Sequence, residues 1–136
     1  MRAVSALAAA LAMLAISRAS EAQTHTEMRA LGEEVYGTYC VGCHGEAGDG
    51  AGPAARMLLV KPRDFTSGIF KFRSTPNGTL PTDEDLLRIV TNGVNRTAMP
   101  PFTLVPDVER RAVVEYLRGF YPKWDEVGAG TPILLP

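Results

Sequence analysis

The sequence has little cysteine and little histidine, with two residues of each among 136. A structural zinc ion takes about four protein ligands, so a zinc site would need every cysteine and histidine in the chain. The longest apolar run, over residues 4–16, is shorter than the roughly 20 residues that span a bilayer. Neither sign of charge dominates, because 14 basic and 15 acidic side chains leave a net charge of −1. These shortages disfavour a zinc domain, a membrane-spanning protein and a nucleic-acid-binding protein.

Residues 1–22 have the composition of a secretory signal peptide. A short start with one charge at Arg2 precedes the Ala/Leu-rich run over residues 4–16, and small residues follow it. We predict cleavage after Ala22, with Ala19 as a second candidate, and therefore export to the periplasm. An uncleaved anchor is the alternative, but the apolar run is too short for it.

Cys40, Val41, Gly42, Cys43 and His44 form a C-x-x-C-H motif, the spacing typical of covalent c-type haem attachment. On one helical turn both thiols can reach the vinyl groups of one porphyrin, and His44 then points at the iron as an axial ligand. A redox dithiol or a structural disulfide is the alternative. Such a pair usually follows a strand in a βαβ unit, and no strand pattern precedes Cys40. The motif therefore favours one covalently attached haem c.

Hydrophobic periodicity predicts an all-α domain over residues 23–136, a segment of about 114 residues, which is enough for one domain. Three helices are predicted, at about Glu27 to Cys40, Asp83 to Asn92 and Asp107 to Arg118. The predicted inward-facing residues are Ala30, Leu31, Val35, Tyr36 and Tyr39 in the first helix, Leu86, Leu87, Ile89 and Val90 in the second, and Val108, Ala112, Val113, Tyr116 and Leu117 in the third.

Capping signals mark both ends of the second and third helices. Thr82 is the predicted N-cap of the second helix, and Gly93 is predicted to end it. Asp107 is the predicted N-cap of the third helix, and Gly119 is predicted to end it. Residues 127–136 read as an extended tail.

A long loop rich in glycine and proline separates the first two predicted helices. Structureless loops of this length are uncommon in compact domains unless something else supplies a packing surface. A haem would supply that surface, and the aromatic and aliphatic side chains of the loop would line the ring. These side chains are Phe65, Ile69, Phe70 and Phe72.

Six residues of the first and third predicted helices match a known pattern: Gly32, Tyr36 and Cys40, and Val113, Tyr116 and Leu117. By these residues and its C-x-x-C-H motif the chain resembles a class I c-type cytochrome of the bacterial monohaem type, over essentially the whole of residues 23–136. The resemblance implies the cytochrome c fold, with three or more helices around one covalently attached haem. It also implies that the first and third predicted helices cross at a small residue, Gly32.

The post-motif segment His44–Pro53 resembles the loop of the same family in which a proline carbonyl accepts a hydrogen bond from the axial histidine. Pro53 is the matching position. The alternative is an ordinary turn proline with no contact to His44, because Gly-Pro pairs mark turns in general.

The segment from Thr97 to Phe102, which contains Met99 followed by two prolines, resembles the family's axial-methionine loop. The resemblance implies His/Met ligation with Met99 as the sixth ligand, an arrangement that raises the reduction potential. Met57 and a buried, unliganded methionine are the alternatives. Ligation by a second histidine is disfavoured, because His25 lies near the predicted new N-terminus.

The resemblance implies a one-electron carrier and not an enzyme, since two axial ligands leave no open position on the iron. Expected partners are a redox protein donor and acceptor, met freely or within a membrane-bound or periplasmic oxidoreductase complex. The alternative is a five-coordinate haem enzyme or gas-sensing cytochrome in which Met99 is not bound. Four cations near the Phe-rich stretch would neutralise haem propionates, form a docking patch, or make a solvated face: Lys61, Arg63, Lys71 and Arg73.

Overall fold

The chain folds into helices joined by irregular segments in a computed structural model that describes residues 2–133, with side chains from Glu21 onward. The helices are α1 (Arg2–Tyr39), α2 (Val41–His44), α3 (Asp83–Asn92), α4 (Asp107–Arg118) and α5 (Trp124–Val127), with a 3₁₀ turn at Ala55–Met57. Within the described range the extended backbone pairs only at one isolated bridge, between Leu80 and Ala129. The predicted all-α class is confirmed.

Helix α1 begins far upstream of the predicted start at Glu27 and ends at Tyr39. The reason is local, because the sequence has no glycine or proline between Arg2 and Leu31 and is rich in strong helix formers. No helix in the described part of the chain is both long and apolar enough to cross a membrane. The predicted signal segment 1–22 lies mostly outside the residues whose side chains are described, so its cleavage stays a prediction.

Helices α1 and α4 cross in close contact at Gly32. A Cβ atom at Gly32 would lie 2.0 Å from the carbonyl oxygen of Ala112 and 2.8 Å from the Cβ of Tyr116. Beside the crossing, the rings of Tyr36 and Tyr116 have centroids 5.4 Å apart, and Val113 is fully buried. The crossing is the one that the resemblance predicted.

The bounds and caps of α3 agree with the prediction. The side chain of Thr82 accepts a hydrogen bond from the backbone N–H of Asp85 at 3.1 Å, and the Asp85 side chain accepts one from the Thr82 N–H at 3.2 Å. The N–H of Gly93 closes the other end by donating to Ile89 at 2.9 Å. This capping box is a purely local signal, which explains why the sequence was enough to predict it.

Helix α4 has the predicted bounds but not the predicted cap. Pro106 is the N-cap, and Asp107 lies inside the first turn, where its carboxylate binds Arg111 at 2.8 Å. Val108 was predicted to face inward but is 54% exposed, whereas Val114 is buried. A helix that packs on two neighbours has a wider buried face than one apolar stripe, and α4 contacts both α1 and α3.

The C-terminal tail is hydrogen-bonded to the loop that precedes α3. The N–H of Gly130 donates to Leu80 at 3.1 Å, and the N–H of Ile133 donates to Ser74 at 2.8 Å. Val127 is the last residue of α5, and the tail follows it. Its last three positions lie outside the described residues.

Candidate haem-binding site

The C-x-x-C-H motif forms a helical turn directly after α1. The backbone N–H groups of Cys43 and His44 both donate to the carbonyl of Cys40, at 3.1 and 2.9 Å. Both cysteines and His44 line one cavity of about 240 Å³. The turn therefore brings two thiols and one imidazole to a common space, as the spacing predicted.

The rest of the cavity wall is mostly apolar and comes from the end of α1, the long loop, α3, the segment that follows α3, and α4. The principal apolar residues of this wall are Tyr39, Phe65, Phe70, Phe72, Leu86, Ile89, Val90, Phe102 and Leu117. Three of the four loop residues predicted to line a haem are among them. Ile69 is not, and it is 64% exposed.

The imidazole of His44 is held from two directions. Its Nδ1 is 3.0 Å from the carbonyl oxygen of Arg63, and its ring lies 4.6 Å from the ring of Phe65 with the planes 18° apart. A carbonyl can only accept, so Nδ1 carries the proton and Nε2 keeps a lone pair for a metal. This is the tautomer that an axial ligand needs.

Pro53 does not accept a hydrogen bond from His44, which corrects the prediction. Pro53 is exposed, and the residues on either side of it bond to the backbone of the motif itself: Gly52 N–H to Cys43 at 3.1 Å, and Ala54 N–H to Gly42 at 2.9 Å. The backbone carbonyl that bonds to the His44 imidazole is instead that of Arg63, 3.0 Å from Nδ1. Pro62 and Asp64, on either side of Arg63, are turn-forming residues that could have marked this segment.

Met99 lines the same cavity and is held by its own loop. Its carbonyl accepts from the Val94 N–H at 3.1 Å, and its N–H donates to the Thr97 hydroxyl at 3.1 Å. A Cβ atom at Gly93 would lie 2.7 Å from the Met99 carbonyl oxygen. The segment after α3 is thus fixed tightly against the end of that helix.

The other candidate sixth ligands lie elsewhere. Met57 is 75% exposed and is not part of the cavity wall. His25 and Met28 line a second cavity, of about 600 Å³, between the start of the described side chains of α1 and helices α3 and α4. That cavity is the larger of the two but contains neither thiol. Of the methionines with described side chains, Met99 alone shares a cavity with His44.

Burial shifts the pKa values of two residues of the motif, Cys40 and His44. Burial, and then the neighbouring Cys43, raise the pKa of Cys40 to about 12, so this thiol is neutral at physiological pH. Burial lowers the pKa of His44, while its bond to the Arg63 carbonyl partly opposes this. The imidazole is therefore neutral at neutral pH, the form that binds a metal.

The four cations near the Phe-rich stretch do not act alike. The Lys61 ammonium donates to the Ala55 carbonyl at 3.0 Å, and the Arg73 guanidinium donates to the Phe70 carbonyl. Arg63 and Lys71 line the cavity, and their side chains have no hydrogen-bond or ion-pair partner among the residues with described side chains. Two of the four charges thus support loop carbonyls, and two remain available at the cavity.

The donor set fits a covalently attached haem. Two thiols, one imidazole with its lone pair free and one thioether lie around a single apolar cavity. These are the groups that thioether attachment and axial ligation require. A fold with this site is that of a c-type cytochrome domain.

Residues 27–117 match the sequence model of the family described as cytochrome C oxidase, cbb3-type, subunit III. The chain belongs to this family of c-type cytochrome domains. As a domain of this family it carries covalently bound haem c.

A chain of the solved Kuenenia stuttgartiensis reducing HAO-like protein complex Kustc0457/Kustc0458 is similar to this one, with 41% sequence identity and a TM-score of 0.74. The match covers 76% of this chain and 47% of that chain, so the present protein spans just under half the length of that relative. No curated protein matches the chain.

Proposed function

We propose that the protein is an extracytoplasmic carrier of one electron, with its haem iron held by the His44 imidazole and the Met99 thioether. The observation that carries the proposal is the shared cavity, in which these two side chains lie together with both thiols of the motif. When bound, the haem supplies an iron that changes between the ferric and ferrous states.

The side chains around the iron would favour electron transfer over bond-making chemistry. His44 and Met99 together would fill both axial positions, and the mostly apolar wall would limit the access of water to the iron. A neutral thioether opposite an imidazole raises the reduction potential. The side chains of Arg63 and Lys71 lie at the same cavity and have no hydrogen-bond or ion-pair partner among the residues with described side chains, so they would balance the negative charge of the haem propionates.

A Met99→Ala variant is the direct test. The ferric wild-type protein is expected to have the weak far-red absorption band of iron bound to methionine sulfur, and the variant is expected to lose it and to bind carbon monoxide rapidly when reduced. Met57→Ala, a change at an exposed methionine outside the cavity, is the control and should keep the band. A wild-type protein that is high-spin and binds carbon monoxide at once would instead favour the five-coordinate enzyme or gas sensor.

A Gly93→Ala variant tests how the Met99 loop is positioned. The new Cβ would lie 2.6–2.8 Å from backbone atoms of Met99 and Pro100, so the loop must move and the far-red band should weaken or disappear. Gly78→Ala is a matched control, because Gly78 also has a positive φ, of 85°, but no atom would lie within 4 Å of the new Cβ. The control should lose about 1 kcal/mol of stability and keep the band. If the far-red band were equally strong in the Gly93→Ala and Gly78→Ala variants, the close contact at Gly93 would not position the Met99 loop.

Export and partnership are further parts of the proposal. Purified mature protein is expected to begin at Gln23, which N-terminal sequencing tests directly.

The Kuenenia stuttgartiensis relative is named as part of a protein complex, which supports a role here as the cytochrome subunit of a larger oxidoreductase. In gel filtration of a native extract, the haem absorbance should then elute at a mass well above the 14.6 kDa of the whole chain. Elution at the mass of a monomer would support a free shuttle.

A further inference from the structure

Phe65 covers one flat side of the His44 imidazole. The two ring centroids are 4.6 Å apart and the planes differ by 18°, a stacked contact of the kind that aromatic pairs favour. Phe65 is 8% exposed, so the ring is buried as well as part of the cavity wall. The contact therefore joins a candidate iron ligand to the packed core.

The segment that carries Phe65 is fixed to the backbone on both sides. The N–H of Phe65 donates to the Gly48 carbonyl at 2.7 Å. Next to it, the carboxylate of Asp64 accepts from the backbone N–H and the hydroxyl of Thr66, at 2.8 and 2.6 Å. The same short segment supplies the Arg63 carbonyl that bonds to Nδ1. One rigid turn thus makes two different contacts with the imidazole.

Phe120 supports Phe65 from behind. Their centroids are 6.1 Å apart with the planes 23° apart. Phe120 packs in turn on Tyr36 of α1 and Tyr116 of α4, at 5.0 and 5.2 Å. A continuous row of rings therefore connects the helix crossing with the imidazole, and Phe65 packs against the aromatic residues at that crossing.

Resting on the ligand role proposed for His44, we propose that Phe65 is a positioning residue that fixes the rotation of the imidazole plane about its bond to the iron. A single hydrogen bond at Nδ1 orients one edge of the ring but leaves it able to pivot about that bond. A flat side chain against the face of the ring removes this freedom. Contacts of this kind behind a metal ligand tune the metal centre.

The test uses a property that follows the plane of the ligand. In ferric low-spin haem the orientation of the axial imidazole directs the half-filled iron orbital, and this sets the spread of the haem methyl signals in proton NMR. A Phe65→Leu variant is expected to change that spread. The His44 Nδ1 proton of this variant should also exchange with solvent about tenfold faster. Without its stacked partner, the ring breaks its hydrogen bond to the Arg63 carbonyl more easily.

Phe102→Leu is the control. Phe102 is a partly buried phenylalanine of the same cavity wall, but its ring packs on Tyr39 at 6.0 Å and, among the described side chains, not on Phe65 or His44. It should lose similar packing while keeping the methyl spread and the proton exchange rate near those of the wild type. Phe65→Tyr keeps the flat ring and should restore both. An unchanged Phe65→Leu protein, or equal changes in both leucine variants, would overturn the proposal.

A Phe120→Leu variant covers the case in which Phe65→Leu fails to retain its haem. Removing the support behind Phe65 should change both signals in the same direction but less strongly, and a result equal to that of Phe102→Leu would overturn the proposal. A wild-type spectrum without a shifted imidazole signal would refute the ligand role of His44, and with it the role of Phe65. A wild-type protein that has this signal but is indifferent to the Phe65 change would refute the positioning role alone.

Discussion

A Gly32→Ala protein is expected to lose about 3 kcal/mol of its free energy of unfolding, because the added methyl group overpacks the crossing of α1 and α4. The new Cβ would lie 2.0 Å from the carbonyl oxygen of Ala112 and 2.6 Å from its carbonyl carbon. Both are backbone atoms, so no rotation of a side chain can relieve the contact. The helices must move apart, and the motif at the end of α1 would move with them. Denaturant unfolding of the haem protein, followed by circular dichroism, measures the loss.

Gly37→Ala is a control on the same helix. No atom would lie within 4 Å of a Cβ at Gly37, so the change brings only the better helix propensity of alanine, a gain of about 1 kcal/mol. The same substitution five positions apart should therefore move stability in opposite directions. If both variants gained stability equally, α1 and α4 would not cross at Gly32 as described.

An Asp85→Asn protein is expected to lose about 2–4 kcal/mol of its free energy of unfolding at neutral pH. The carboxylate is 1% exposed and accepts from the Ser74 N–H and hydroxyl, the Thr82 N–H and the Arg88 guanidinium. An amide cannot accept from all these donors, and it leaves the Arg88 charge without its partner. Asp83→Asn, an exposed change in the same turn, should alter stability by about 0.5 kcal/mol or less.

The effect of Asp85 should depend on pH. Burial alone would raise the pKa of Asp85, but the hydrogen bonds from Ser74, Arg88 and Thr82 outweigh it and lower the pKa to about 2, from 3.8. A carboxylate with a depressed pKa contributes stability that is fully present above the unfolded value and is lost as the pH falls through the folded value. The gap between wild type and Asp85→Asn should therefore hold above about pH 4 and narrow by about 2 kcal/mol towards pH 2. Denaturant midpoints at pH 7 and pH 3 test this, and a gap that widened at low pH would contradict it.

Elements with local signals were predictable from the sequence. The ends of α3 follow from the capping box of Thr82 and Asp85 and from Gly93, because these capping bonds join residues three or four positions apart. The motif turn follows from the spacing of Cys40 and Cys43. The start of α1 was predicted too late, although the absence of helix breakers upstream was visible in the sequence.

Contacts between distant parts of the chain were less predictable. The partner of the His44 imidazole is 19 residues away at Arg63, and its acceptor is a backbone carbonyl, a group that every residue has. A resemblance pointed to Pro53 because proline is conspicuous in a sequence, whereas a carbonyl is not. Burial of Val114 in place of Val108 likewise depends on which neighbours α4 meets, and the periodicity of one helix does not contain that information.

The hydrogen bonds of the C-terminal tail have a consequence for the energetics of electron transfer. The tail holds the loop at Ser74 and Leu80, and Asp85 holds it again from α3. Hydrogen bonds at these points restrict the number of conformations that the long glycine-rich and proline-rich segment can adopt. We expect the wall of the cavity to rearrange little when the iron gains or loses an electron. In this way the tail would help to keep the reorganisation energy of the proposed carrier low, although none of its described residues lines the cavity.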